Sequence, residues 1–145
     1  MEGFATGASD GESMIAADTN LFVRWLTNDD RPQAEAAARL FRAAEKTNDP
    51  IWVADIVIAE LVWVLQKVFR LRPPQVAEMV EPIIAAPMLS IENRDRLMRA
   101  MELFSAHGVD FIDCYIAAAA IEKGLKGVAS FDKDFDKLPV GRIEP

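Results

Sequence analysis

Short apolar runs alternate along this chain with longer stretches of helical period. Ile15-Ala16-Ala17 is apolar and ends at Asp18, Ile51-Trp52-Val53 is a second such run, and Met88 to Ile91 a third. Val128-Ala129-Ser130 makes a fourth and Gly141 to Ile143 a weak fifth. Between them, apolar positions recur every three or four residues, the repeat of one helix face. Leu21, Phe22, Trp25 and Leu26 predict a short helix over Asn20 to Thr27. Asp30 is an N-cap for an alanine-rich helix from Pro32 to about Lys46, with the proline in the first turn. After a turn at Thr47 to Pro50, Asp55 is placed to cap a helix from Ile56 to about Phe69. Pro73-Pro74 ends it and opens another, Gln75 to Ala86, stopped by Pro87. Asn93 caps a helix to about His107, and Asp110 caps one that ends at Gly124.

Strand-like runs alternating with helices are the α/β signature, a parallel sheet covered by helices. In such sheets, sites form beyond the carboxyl ends of the strands. Asp18 and Ser130-Phe131-Asp132 fall at those ends. Met1 to Ser13 is small, polar and acidic without period. It reads as a disordered leader, either added sequence or an extended start, which leaves 14–145 as one domain.

Composition narrows the class. Of the 145 residues 51 % are apolar, enough for a real core. The longest apolar run, Ile56 to Val64, is broken by Glu60 and falls short of the ~18 residues of a membrane helix. The lone Cys114 excludes an internal disulfide and a cysteine zinc cage. With no signal peptide visible, this points to the cytoplasm. A serine triad would depend entirely on the lone His107, and no Gly-x-Ser-x-Gly elbow supports it. His107 beside Gly108 reads as a cation at a helix end. The net charge of −7 does not describe a basic nucleic-acid binder. The leader carries Glu2, Asp10 and Glu12 and no base, so the body holds 20 acids against 16 bases. Setting aside the four acids of the site argued below, the body is neutral around an acidic pocket.

Those acids carry the chemistry. Asp18 is either a helix cap or a site residue at a strand end. Glu60 is the only charge between Asp55 and Lys67, and shares a helix face with Ile56, Val57 and Val64. An apolar surround makes its ionisation costly unless a cation offsets it. Asp110 suits a cap. Asp113 shares its face with the small Ala117 and Ala120, which would let its helix pack closely. Asp132 follows the fourth strand, and Asp134 approaches it only if that segment is an open turn. Carboxylates converging at one sheet edge repel, and hard cations bound through oxygen resolve the repulsion. Without histidine or cysteine ligands, Mg²⁺ or Mn²⁺ is expected, which suits phosphoryl-transfer chemistry.

In this order the residues resemble the PIN-domain family, and within it the VapC-type toxins. The resemblance rests on Asp18-Thr19-Asn20, Glu60 in Ile58-Ala59-Glu60-Leu61, Asp113-x-x-Ile116-Ala117-Ala118 and Ser130-Phe131-Asp132-x-Asp134-Phe135, and covers Met14 to Glu144. It implies a three-layer α/β/α fold and a metal-binding quartet of Asp18, Glu60, Asp113 and Asp132, with Asp134 as the other candidate for the last place. It also implies support from Asn20, Ser130 and Asp110, and Mg²⁺-dependent endonucleolytic hydrolysis of RNA. A homodimer and an inhibitory antitoxin come with the toxin class. Lys67, Arg70 and Arg72 are the densest basic group for phosphate contacts, with Arg24, Arg31 and Lys133 as others.

Other readings are an RNA-processing nuclease that is not a toxin, a phosphatase-like hydrolase, and a non-catalytic scaffold. The haloacid dehalogenase signature needs a second Asp where position 20 is Asn. The scaffold would use Phe22, Trp25, Val62, Trp63 and Leu65 as an exposed apolar patch.

Overall fold

The computed structural model describes residues 14–145, so the expected leader lies outside the described residues. The chain divides into two compact units. The first runs to Leu61 and includes Ala86–Glu92; the second holds Val62–Ala85 and Asn93–Pro145.

In the first unit Asp18 caps α1 (Thr19–Thr27), its Oδ1 accepting from the Leu21 amide at 3.1 Å. Asn28 closes the helix in the left-handed region at φ 56°, a conformation asparagine tolerates. Asp30 caps α2 (Arg31–Thr47) by accepting from Gln33 N at 3.2 Å. Along α2 the spacing Ala34, Ala37, Phe41, Ala44 marks the buried face, which packs on α1. Phe41 stacks on Phe22 with ring centres 5.5 Å apart and meets Trp25 at 4.5 Å. The small alanines let the two helices approach, and the aromatics fill the space between them.

Strand β1 (Ile51–Val53) buries Ile51 and Val53 and turns Trp52 outward. It pairs in parallel with β2 (Leu89–Ile91), Ile51 opposite Leu89 and Val53 opposite Ile91. The first predicted strand, Ile15 to Ala17, reduces to a single parallel bridge between Ala16 and Trp52. Its hydrogen bonds run from Trp52 N to Ile15 O (2.8 Å) and from Ala17 N to Trp52 O (2.9 Å). The pairing stops there because Asp18 already begins α1. Helix α3 (Asp55–Lys67) opens at Asp55, whose amide donates to Glu92 Oε1 at 3.0 Å. A glutamate from beyond β2 thus holds the first amide of α3, and Asp55 itself lies buried in the first turn.

In the second unit, α4 (Pro73–Ala85) begins at the proline pair and carries Pro82 on an exposed position. Asn93 caps α5 (Arg94–His107), and Gly108 ends it at φ 66°. Asp110 caps α6 (Phe111–Glu122), accepting from Ile112 N at 3.1 Å. Helices α5 and α6 pack through Phe104 and Phe111, edge to face at 5.7 Å. Arg96 ties them further, donating to Glu122 Oε1 at 2.7 Å and to the Tyr115 hydroxyl at 3.2 Å. The tyrosine ring lies 5.5 Å beneath its guanidinium, a cation–π contact.

Strand β3 (Val128–Ala129) pairs in parallel with β4 (Arg142–Ile143). Just before it, a Cβ on Gly127 would come within 2.4 Å of the Gly141 carbonyl oxygen, so only glycine fits there. Between these strands residues Lys133–Lys137 form a 3-10 turn. The strand pairings are parallel, as expected of α/β, but occur as two separate two-stranded ladders. Among the described residues no helix is long and apolar enough to cross a membrane.

Candidate functional site

Each unit contributes one group of the predicted acids. In the first, Glu60 is tied to the residue that follows Asp18. The Thr19 hydroxyl donates to Glu60 Oε1 at 2.5 Å, across 41 residues of sequence. Asp18 holds the helix cap, so the hydroxyl of the residue after it is left for Glu60. Thr19 is itself buried, 8 % exposed. Each acid therefore has one oxygen fixed by a protein donor, Asp18 by an amide and Glu60 by a hydroxyl. A donor to a charged oxygen makes one of the stronger hydrogen bonds and fixes its direction.

Glu60 corrects the expectation drawn from its neighbours. It is exposed, and its helix face runs through Ile56 (76 % exposed) and Trp63 (56 % exposed). The buried face of α3 is Ile58, Leu61, Val62 and Leu65. Its side chain is therefore not enclosed by apolar neighbours. The same rotation corrects the apolar patch: Phe22, Val62 and Leu65 are core, and only Trp25 and Trp63 reach solvent.

Asp18 also lines a groove of about 460 Å³ between α1 and α2, with Asn20, Leu21, Arg24, Gln33 and Leu40 among its walls. Asn20 is exposed. Arg24 is held by an ion pair to Asp29 at 3.0 Å.

The second unit gathers Asp110, Asp113, Asp132 and Asp134. Asp113 is half-buried in the first turn of α6. Its carboxyl is raised above the ordinary range by burial first, then by the charges of Asp110, Asp132 and Asp134. Asp132 is exposed and caps the 3-10 turn, accepting from Asp134 N at 2.9 Å, while its own amide donates to Ser130 Oγ at 2.9 Å. Asp134 has a counter-charge in Lys137 at 3.2 Å. Asp132 ranks ahead of Asp134 in its effect on Asp113. The turn itself is steadied by Ser130 N bonding Ile143 O at 3.1 Å and by Arg142 donating to Ser130 O at 3.1 Å.

Neither remaining candidate ligand type competes. His107 is exposed in the last turn of α5. Cys114 is buried, and its thiol is pushed up to about 12 by burial, then by Asp113 and Asp110. It stays protonated and inert. Among the described residues, no three histidine, cysteine or acidic side chains form a ready-made cage for an ion. In both units every candidate donor is an oxygen. That chemistry fits Mg²⁺ or Mn²⁺. A cation also offsets the like charges around Asp113, which burial alone leaves unfavourable.

Lys67, Arg70 and Arg72 are all exposed. Thr19 was legible in the sequence only as the residue between Asp18 and Asn20. Its hydroxyl beside a candidate ligand was the signal, and its partner was not readable.

The chain is α/β with parallel strand pairs, and its strand ends and helix starts carry acids. The chain belongs to the PIN domain family, whose model matches residues 15–141. It is similar to a VapC ribonuclease of Aquifex aeolicus (strain VF5), 26 % identical over 132 residues, covering 91 % of this chain and 97 % of that protein.

Proposed function

We propose that residues 14–145 act as a single Mg²⁺- or Mn²⁺-dependent endoribonuclease domain, the toxin of a VapC-type toxin–antitoxin pair. The observation that carries this reading is Asp113. Its half-buried carboxyl faces three neighbouring acids, a surplus of negative charge that suits a divalent cation. The similarity to a VapC ribonuclease over nearly the full length of both chains supports the same reading.

In this reading Asp18, Glu60, Asp113 and Asp132 are the ligands. A bound divalent ion lowers the pKa of water and neutralises charge on the phosphodiester. The chain's own residues orient and hold. Asp18 is anchored by the Leu21 amide and Glu60 by Thr19. Asp132 rather than Asp134 is the fourth acid, since Lys137 already neutralises Asp134. Ser130 Oγ accepts from the Asp132 amide and so sets the acid's backbone, while its hydroxyl proton remains available to a phosphate oxygen. Asn20 and Asp110 flank the ligands at the starts of α1 and α6. Lys67, Arg70 and Arg72 contact RNA phosphates through exposed charge.

An antitoxin partner, a homodimer and a cytoplasmic location belong to the same proposal. Ile112 (50 % exposed) and Ile116 (41 % exposed) on α6 offer apolar surface for a second copy.

The test is cleavage of RNA by the purified protein with Mg²⁺ or Mn²⁺. Loss of cleavage in folded Asp18→Asn and Asp113→Asn is expected; retained cleavage in either removes that residue from the site. Growth arrest on expression, relieved by a small co-expressed neighbour, tests the toxin role.

A further inference from the structure

We infer that Thr19 is a positioning residue: its hydroxyl fixes the Glu60 carboxylate so that one oxygen is held by the protein and the other is presented to a divalent cation. This rests on the proposed metal site. An exposed glutamate on a helix is mobile, and holding it in one rotamer costs side-chain entropy. Glu60 is such a residue, exposed on α3. Thr19 removes that freedom before any ligand arrives, through a 2.5 Å bond from a side chain that is only 8 % exposed.

The local sequence assigns the task to Thr19 alone. At the start of a helix, Asp18 and Thr19 both have side chains able to cap. Asp18 does so, accepting from Leu21 N at 3.1 Å. The Thr19 hydroxyl is thereby free of the backbone and turns to α3. Its γ-methyl shares the buried position, so the hydroxyl has a fixed direction, as expected for a β-branched side chain with few χ1 states. A single dipeptide thus orients two candidate ligands from different elements. Asp18 presents its own carboxylate, and Thr19 presents that of Glu60.

The measurement is calorimetric titration of Mn²⁺ into the full chain and its Thr19→Val, Thr19→Ala and Thr19→Ser variants, with thermal melting of each to establish folding. Valine keeps the shape and loses the donor; serine keeps the donor. Thr19→Val is expected to weaken Mn²⁺ binding roughly 10–100-fold, the range for losing a group that orients a ligand. Thr19→Ala repeats the test should valine fail to fold, and Thr19→Ser is expected to restore affinity to within about threefold, about 0.65 kcal/mol. In a Glu60→Ala background, Thr19→Val should have no further effect, because the acceptor of its hydrogen bond is gone. Equal Mn²⁺ affinity in the wild type and in folded Thr19→Val or Thr19→Ala overturns the role of Thr19 and leaves the metal site standing. An additional loss in the Glu60→Ala background likewise overturns it, since Thr19 would then act on structure generally. No Mn²⁺ binding by the wild type overturns both the metal site and this inference.

Discussion

Asp113 of the second unit is handled in the opposite way to the two acids of the first. In the first unit each carboxylate comes with a donor: the Leu21 amide for Asp18 and the Thr19 hydroxyl for Glu60. In the second, Asp113 has acids for neighbours, and burial together with Asp110, Asp132 and Asp134 raises its carboxyl above the ordinary range. The first two acids are oriented by donors; Asp113 sits among like charges that, with burial, make it hold its proton more tightly. A metal enzyme needs both properties, fixed direction for geometry and uncompensated charge for affinity. In the proposed function the two properties come from separate elements.

The largest expected effects test whether the two groups serve one reaction. Asp18→Asn and Asp113→Asn should each reduce RNA cleavage by more than the ~10–100-fold typical of losing an orienting partner, measured as kcat/KM with Mg²⁺. A large loss in one and none in the other would separate the groups. Asp132→Asn should also abolish most activity, and Asp134→Asn should retain more of it, because Asp134 is paired with Lys137.

The next effect concerns the loop that carries Asp132. Gly127→Ala forces a Cβ toward the Gly141 carbonyl oxygen, 2.4 Å away. Overpacking of this kind costs about 1–3 kcal/mol. Thermal melting should fall by several degrees and activity should fall with it, whereas an unchanged melting temperature would show that β3 and β4 adjust freely.

A smaller effect has the opposite sign. Because the folded chain holds the Asp113 proton more tightly than the unfolded chain, this group favours folding at low pH. That contribution is lost as pH rises from the unfolded-state value, 3.8, through the raised folded one. At neutral pH without divalent ions, Asp113→Asn should therefore raise the melting temperature while eliminating activity. Mn²⁺ should stabilise the wild type by mass action and leave Asp113→Asn unmoved. A lower melting temperature for Asp113→Asn without metal would contradict the charge surplus assigned to the second unit.

The smallest effects lie at the surface. Charge reversal at Lys67, Arg70 or Arg72 should lower the salt slope of RNA binding by about one per phosphate contact. An unchanged slope would remove that residue from the RNA path.

Much of the fold was legible because helix ends are written locally. Asp30, Asn93 and Asp110 cap where expected, and Gly108 closes α5 in the left-handed region. The strands at Ile51–Val53 and Leu89–Ile91 also stand where the apolar runs put them. The first strand did not, since a run of three residues states nothing about how much partner it will find, and Ala16 meets only Trp52. The 3-10 turn at Lys133–Lys137 depends on the Asp132 side chain bonding its own backbone, which competes with other conformations in a charged loop. Glu60 was singled out for the wrong reason. In a nearly all-apolar helix, periodicity does not say which face is covered, and Ile56 and Trp63 turned out to lie on the open one. What makes Glu60 notable is Thr19, and a hydrogen bond spanning 41 residues has no local signature.

The proposed metal dependence is tested most directly by titrating Mn²⁺ into wild type, Asp18→Asn and Asp113→Asn under the same conditions. The expected result is a single binding event in the wild type that is lost or strongly weakened by either substitution. Undiminished Mn²⁺ binding in a folded variant of either unit would contradict it.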